Sequence, residues 1–202
     1  MRKALAMLAA VLLVAVMAGC DDETQLVPGP GPSKVKVDST ELRELKAQIG
    51  MEDCVPGPGG GALPEITLPC LGGGTSVDLS SLKGPLVLSF WFAGCKPCKE
   101  EMPALQAFDD QHGDRVPVIG VDFQDQYPGS ALEEAGKRGV TYPSLADPGG
   151  DVRGFDEFAK IVGMPTMFFV DADGRIAYQE TGGLDSAEQV ADLVREHLGV
   201  DL

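Results

Sequence analysis

Apolar runs separated by polar and glycine-rich stretches predict alternating strands and helices from residue 86 onward. Residues 86–92 and 116–123 are nearly continuous apolar runs of strand length, which is typical of strands buried on both faces. The first run is followed by Met102, Leu105 and Phe108, whose spacing predicts one apolar face of a helix. These two units predict a sheet with helices packed against it.

Weaker patterns complete the prediction on both sides of these units. Further helices are predicted over residues 130–138 and 152–161, and a hairpin of strands 167–170 and 175–178 precedes a last helix that Ser186 caps. A short helix over 39–49 and short strands at 66–68 and 77–79 are also predicted. Strands that alternate with helices and end in a hairpin and a helix indicate an α/β fold with helices on both faces of the sheet.

The first 19 residues have the pattern of an export signal. Met1-Arg2-Lys3 precedes the apolar residues 4–18, a run too short for a membrane-spanning helix of about 20 residues. The run ends in Met17-Ala18-Gly19-Cys20, which resembles a bacterial lipobox and predicts lipidation of Cys20. An ordinary cleaved signal with an incidental Cys20 is the alternative.

The chain between the signal and residue 62 is predicted to be a tether and a lead-in to the domain. Residues 27–33 are rich in proline and glycine, a composition that buries too little apolar surface to order itself. We therefore expect a flexible segment over residues 20–61 and one domain over residues 62–202.

Charge excludes one class of partner. The 202 residues contain 31 acidic and 16 basic side chains, a formal net charge of −15. Such a chain is not expected to bind nucleic acid, and it has no excess of basic residues for anionic lipid. A lipid at Cys20 would have to hold it at a membrane.

The pair Cys95-Lys96-Pro97-Cys98 follows the first apolar run and opens the predicted helix. Backbone N–H groups and the dipole at a helix N-terminus stabilise a thiolate, the reactive form of cysteine. A second thiol three residues later can resolve a mixed disulfide, so the spacing predicts dithiol–disulfide chemistry. The alternatives are a structural disulfide or half of a zinc site, but zinc needs a second ligand pair that the sequence does not supply. We expect no metal and no cofactor.

Two further cysteines, Cys54 and Cys70, remain. In an oxidising compartment we expect them to form a disulfide that fixes the segment before the domain, worth about 3 kcal/mol from the closed loop. A second redox pair is the alternative, although a separation of 16 positions is not a compact redox motif.

Four motifs follow one another between Leu63 and Leu198: Trp91–Cys98, Glu101–Pro103, Gly163–Thr166 and Asp171–Gly174. In this order they resemble the TlpA/ResA-like thiol-disulfide oxidoreductases, membrane-tethered members of the thioredoxin superfamily. The resemblance implies a thioredoxin-like fold, with a central mixed sheet flanked by helices and an N-terminal extension.

The resemblance also implies roles for four residues. Cys95 matches the exposed attacking cysteine and Cys98 the buried resolving one. Pro165 matches a cis-proline that helps to dock substrate backbone, and Glu101 matches an acid that tunes the cysteine pKa values. The alternative for Glu101 is a solvated acid in the first turn of the helix, favourable to the dipole.

Two positions bear on how the pair is tuned. Ser89 stands where thioredoxins carry a buried acid, so it cannot carry a proton in that way. Lys96, next to Cys95, is expected to favour the thiolate and an oxidising pair, whereas Glu101 would favour the thiol if it lies close.

The resemblance implies a lipid-anchored enzyme on the outer face of the cytoplasmic membrane that reduces disulfides of exported proteins, of the cytochrome c maturation type. Its partners would be those proteins and a membrane thiol electron donor. A disulfide-inserting oxidant is one alternative, and an inert binding lipoprotein with a structural Cys95–Cys98 bridge is another. A peroxiredoxin is a third, but Phe92 stands where that chemistry needs a hydroxyl.

Overall fold

The computed structural model describes residues 33–202. In chain order, these form the helix α1 (Thr40–Ile49), the strands β1 (Thr67–Leu68), β2 (Val77–Asp78) and β3 (Leu86–Trp91), the helix α2 (Lys96–His112), β4 (Val118–Phe123), α3 (Pro128–Lys137), β5 (Ser144–Asp147), β6 (Thr166–Val170), β7 (Ile176–Thr181) and α4 (Ala187–Leu198).

The central sheet is mixed, as predicted, and has the strand order β5-β4-β3-β6-β7. Strands β3, β4 and β5 are parallel, whereas β6 pairs antiparallel with both β3 and β7. The chain moves in one direction across the sheet from β3 to β5, so two right-handed crossovers place α2 and α3 on the same face. The C-terminal end of β3 therefore lies in the middle of the sheet, where it delivers the chain to Cys95.

The two faces of the sheet are covered differently, which corrects the expectation of α-helices on both. One face packs its side chains, such as Val87 and Phe169, against apolar residues of all four α-helices of the described part. The opposite face packs Phe90 and Phe168 against loops, the small β1–β2 sheet and three 3-10 helices, the first of which spans Leu79–Ser81. The other two span Asp151–Gly154 and Asp156–Phe158, where one α-helix over 152–161 was predicted.

The start of the folded unit also differs from the prediction. Val37 and Met51 are buried in the helical core cluster, and α1 packs against α3. Residues 33–61 are thus part of the folded unit, and the boundary predicted at residue 62 is wrong for them. Helix α1 itself was predicted, and Ser39 caps it by accepting a hydrogen bond from the Leu42 N–H.

The predicted signal (residues 1–19), the predicted lipidation site Cys20 and the start of the predicted tether lie outside the described residues. Within residues 33–202, every helix is too short or too polar to cross a membrane.

Candidate active site

The cysteine pair lies at the junction between the end of β3 and the start of α2. Cys95 is the N-cap of this 17-residue helix, and its Sγ accepts a hydrogen bond from the Cys98 backbone N–H at 3.1 Å. The two cysteines form a disulfide with their Cα atoms 5.3 Å apart. The Cys98 N–H and the helix dipole therefore both act on the Cys95 sulfur, as the sequence predicted.

Exposure separates the two cysteines less than the resemblance implied. Cys95 is 5% exposed and Cys98 is 2% exposed. Cys98 is buried as expected, but Cys95 is buried too, in an apolar cluster against which Phe92, Ala93 and Met164 pack. The accessible surface beside Cys95 belongs to its neighbours Gly94 and Lys96, which are exposed.

Pro165 follows a cis peptide bond, as the resemblance implied for Met164–Pro165. Strand pairing explains its place, because Thr166 lies opposite Phe90 near the end of β3. The loop before Pro165 therefore meets the turn that carries Cys95, and Met164 and Phe92 line one cavity there of about 250 Å³.

Glu101 is buried on α2, which excludes the solvated acid in the first helical turn. It is 1% exposed, and its Oε2 accepts a hydrogen bond from the Leu184 N–H at 3.2 Å. Burial raises the pKa of Glu101 to about 8, with a smaller rise from the nearby Glu180 and an opposing effect of the Leu184 hydrogen bond. At neutral pH the carboxyl group is largely protonated.

Lys96 does not act on Cys95 as the sequence indicated. Its side chain is 84% exposed, and its Nζ lies 3.5 Å from Glu100 Oε1, one turn along α2. An exposed and paired ammonium group has little effect on a neighbouring sulfur, since water and the carboxylate screen it.

Asp125 is a residue of the site that the sequence reasoning missed. One carboxylate oxygen accepts a hydrogen bond from the Ala93 N–H at 2.7 Å, and the other accepts one from the Tyr127 N–H at 2.8 Å. Ala93 lies two residues before Cys95, so Asp125 fixes the turn that presents the sulfur. The only signal in the sequence is an acid placed shortly after a buried strand.

A second acid, Asp122, lies at the end of β4 beside Asp125 and opposite Trp91. It is 1% exposed, and burial raises its pKa well above the usual range, with a further rise from the Asp125 carboxylate. The protein thus holds a second buried acid near the base of the turn, in a region where Ser89 carries no charge.

Two cavities flank Phe92, which lies between the end of β3 and the cysteine pair. The cavity of about 250 Å³ reaches Val162 and Met164, and the other, of about 430 Å³, reaches Tyr127 and Glu134. Val162 is 85% exposed and Tyr127 is 71% exposed. Large exposed apolar side chains on both sides of the pair are suited to contact with another polypeptide.

The other two cysteines also form the predicted disulfide. The Cα atoms of Cys54 and Cys70 are 5.8 Å apart, and both residues are buried.

Among residues 33–202, no cluster of three histidine, cysteine or acidic side chains has the arrangement of a metal site.

Comparison with known proteins places this geometry in a family. The family described as AhpC/TSA matches residues 60–179. The thiol-disulfide oxidoreductase ResA of Bacillus thuringiensis subsp. konkukian is 27% identical over 125 residues, which cover 61% of this chain and 69% of that protein. The sporulation thiol-disulfide oxidoreductase A of Bacillus subtilis is 29% identical over 140 residues, covering 67% and 81%.

A solved structure agrees with these matches. The thioredoxin domain of a thiol-disulfide oxidoreductase from Bacteroides vulgatus superposes with a TM-score of 0.55 and 30% identity, covering 67% of this chain and 97% of that one. The predicted thioredoxin-like fold is confirmed, and the cysteine pair lies within the matched region.

Proposed function

Since the chain belongs to the AhpC/TSA family and is a thiol-disulfide oxidoreductase of the ResA type, we propose that it reduces disulfides of exported proteins. We also propose that a lipid at Cys20 anchors it to a membrane while it does so. The observation that carries the exchange chemistry is the Cys95–Cys98 disulfide at the N-terminus of α2. The export signal and lipobox of the sequence support the location, on the outer face of the cytoplasmic membrane.

In the proposed reaction the reduced enzyme attacks first. The Cys95 thiolate, stabilised by the Cys98 N–H and the helix dipole, attacks one sulfur of the substrate disulfide and expels the other as a thiolate. Cys98 then attacks Cys95 in the mixed disulfide and releases the second substrate thiol. Two electrons pass to the substrate, and the enzyme ends with the Cys95–Cys98 disulfide.

Glu101 is proposed to exchange the proton that Cys98 must lose before it attacks. It lies three residues after Cys98 and therefore on the same face of α2. A carboxyl group with a pKa of about 8 can accept and return a proton near neutral pH at small cost.

We propose that the substrate is an extended segment of an exported protein that lies beside Pro165 and across the cavities flanking Phe92. The exposed apolar side chains of Val162 and Tyr127 support a polypeptide substrate. Apocytochrome c, whose haem-binding cysteines must be reduced, is the substrate class that the ResA resemblance suggests, and a membrane thiol protein would return the electrons.

The test of direction is the reduction potential of Cys95–Cys98, measured against glutathione and dithiothreitol with Cys95→Ser as the blank. A potential near or below about −220 mV is expected for a reductant. A value near about −120 mV would assign the enzyme to disulfide insertion instead, and a pair that never equilibrates would contradict exchange chemistry. Comparing membrane fractions of cells that make wild type or Cys20→Ser tests the anchor, since only the wild type is expected to stay with the membrane.

A further inference from the structure

A buried lysine contacts the second disulfide. Lys46, on α1, is 5% exposed. Its Nζ lies 2.8 Å from Asp53 Oδ1, 2.9 Å from the Gly73 carbonyl oxygen and 3.3 Å from Cys70 Sγ. Lysine is rarely buried unless it is paired, and here one of its three partners is a sulfur atom.

The two sulfurs of this disulfide have opposite surroundings. Cys70 Sγ faces two donors, the Lys46 ammonium group and the Cys54 backbone N–H, each at 3.3 Å. Cys54 Sγ lies 3.3 Å from the Ser144 carbonyl oxygen, which is an acceptor. Donors and a positive charge favour a thiolate, whereas an acceptor favours a protonated thiol. When the bond opens, Cys70 is therefore the better leaving group.

Access to the bond is also one-sided. Cys54 lines a cavity of about 180 Å³ whose other walls are mainly apolar, including Val55, Val77 and Leu145. Cys70 is not part of that lining, and Val55, next to Cys54, is exposed. An attacking thiol that enters this cavity thus meets Cys54 first.

We propose that Cys54–Cys70 is a second thiol-disulfide exchange site, which a dithiol reductant opens by attack on Cys54 while Lys46 stabilises the departing Cys70 thiolate. A thiolate of the reductant bonds to Cys54, and Cys70 leaves with the electron pair of the broken S–S bond. The reductant's second thiol then attacks its own sulfur in the mixed disulfide, and Cys54 leaves and takes up a proton. Two electrons and one proton enter the pair, one proton goes to solvent, and the reductant ends as a disulfide.

The second site is separate from the first. The cavity beside Cys54 includes Pro117, directly before the start of β4, and Pro143, directly before the start of β5. Cys95 follows the opposite, C-terminal end of β3, which is parallel to β4. The two disulfides therefore lie at opposite ends of the parallel strands and can meet different partners.

Both pairs can be followed in one sample of the wild-type chain. Trypsin leaves Cys54 and Cys70 together on residues 47–83, and it leaves Cys95 and Cys98 together on residues 84–99, since Lys96 precedes a proline. The folded protein is equilibrated with dithiothreitol mixtures of set potential, its free thiols are alkylated, and each peptide is weighed. We expect Cys54–Cys70 to become reduced without unfolding, which circular dichroism monitors.

The role of Lys46 is tested with Lys46→Met and with Arg43→Met as the matched control. Arg43 lies on the same helix and pairs with Asp38 but does not contact a sulfur. Lys46→Met is expected to lower the equilibrium constant for reduction of Cys54–Cys70 about tenfold, about 30 mV for a two-electron couple. Arg43→Met and the Cys95–Cys98 peptide are expected to stay unchanged.

The pH dependence separates thiolate stabilisation from a structural effect of Lys46. With Cys70 held as a thiolate the couple takes up one proton, so its midpoint falls half as steeply with pH as that of a two-proton couple. Lys46→Met is expected to restore the steeper slope. The proposal is overturned if the wild-type pair stays oxidised until the protein unfolds, or if Lys46→Met and Arg43→Met give the same midpoint and slope. Because Cys95–Cys98 is read separately, failure here leaves the proposed reductase function standing.

Discussion

The carboxylate of Asp125 binds the backbone N–H of Ala93 at 2.7 Å and thereby ties the loop after β4 to the turn that presents Cys95. Its other oxygen holds the Tyr127 N–H, so both oxygens are used within the protein. Asp125 is 6% exposed, and these two hydrogen bonds reach backbone N–H groups and not the sulfur atoms, which makes it a positioning residue.

Asp125→Ala is expected to lower the rate of disulfide exchange about tenfold, because small displacements of a reacting group cost up to about 100-fold in rate. The reduction potential is expected to change little, since the carboxylate does not touch either sulfur. The rate is measured as reduction of a model protein disulfide by the pre-reduced enzyme.

Asp125→Asn is the matched control for this change. The amide keeps an oxygen for the Ala93 N–H, so most of the rate is expected to return without the charge. Equal losses in the alanine and asparagine variants would mean that the charge of Asp125, and not its hold on the turn, supports exchange.

Glu101 predicts a pH dependence of stability. Its pKa is near 4.5 in the unfolded chain and about 8 in the folded protein, so the folded state binds more protons between these values. Stability from this group is full below the unfolded pKa and is lost as pH rises through the folded pKa. Glu101→Gln removes the titration and keeps an acceptor for the Leu184 N–H.

The free energy of unfolding of Glu101→Gln is expected to exceed that of wild type by an amount that grows as pH rises from 5 to 9. The difference is expected to reach about 1–4 kcal/mol, since each unit of pKa difference between the folded and unfolded states is worth about 1.4 kcal/mol. Urea unfolding at several pH values measures it. A difference that is flat across this range would show that Glu101 titrates normally in the folded protein.

The local sequence carried enough information for the elements around the site. A short apolar run bounded by turn residues is typical of a buried strand, and Pro97 directly after it favours the first turn of a helix that Cys95 opens. Ser39 and Ser186 both cap the helices predicted for them, because their hydrogen bonds reach only three residues ahead.

Features set by distant residues could not be predicted in this way. The buried Glu101 carboxyl group has its hydrogen-bond partner in Leu184, far along the chain, and Asp125, after β4, reaches the Ala93 N–H after the neighbouring strand β3. The burial of Val37 and Met51 depends likewise on helices that fold from later residues. The composition of residues 20–61 predicted a flexible segment, because composition depends only on local apolar content and not on the distant residues that pack against the segment in the fold.

Gly120, in the middle of β4, predicts a packing defect on substitution. A Cβ at this position would collide with the Ser144 side chain and lie 2.9 Å from Trp91 Nε1. Gly120→Ala is therefore expected to lower the free energy of unfolding by about 1–3 kcal/mol, the usual cost of overpacking a core. Urea unfolding measures the loss, and Gly120→Ala/Ser144→Gly, which vacates the closest contact, is expected to recover part of it. An unchanged stability would mean that β4 shifts freely at this point.

Lys96 tests whether a lysine next to Cys95 in the sequence affects the redox equilibrium of the cysteine pair when its ammonium group points away. It is adjacent to Cys95 in the chain, but its ammonium group is exposed and pairs with Glu100 at 3.5 Å. Lys96→Met is therefore expected to change the equilibrium constant of the Cys95–Cys98 couple less than twofold, as measured against glutathione, with Lys99→Met as the matched control on the same helix. A shift of tenfold or more toward the reducing side, seen for Lys96→Met alone, would mean that the lysine turns to the sulfur once the disulfide opens. The thiolate would then depend on this side chain as well as on the start of α2.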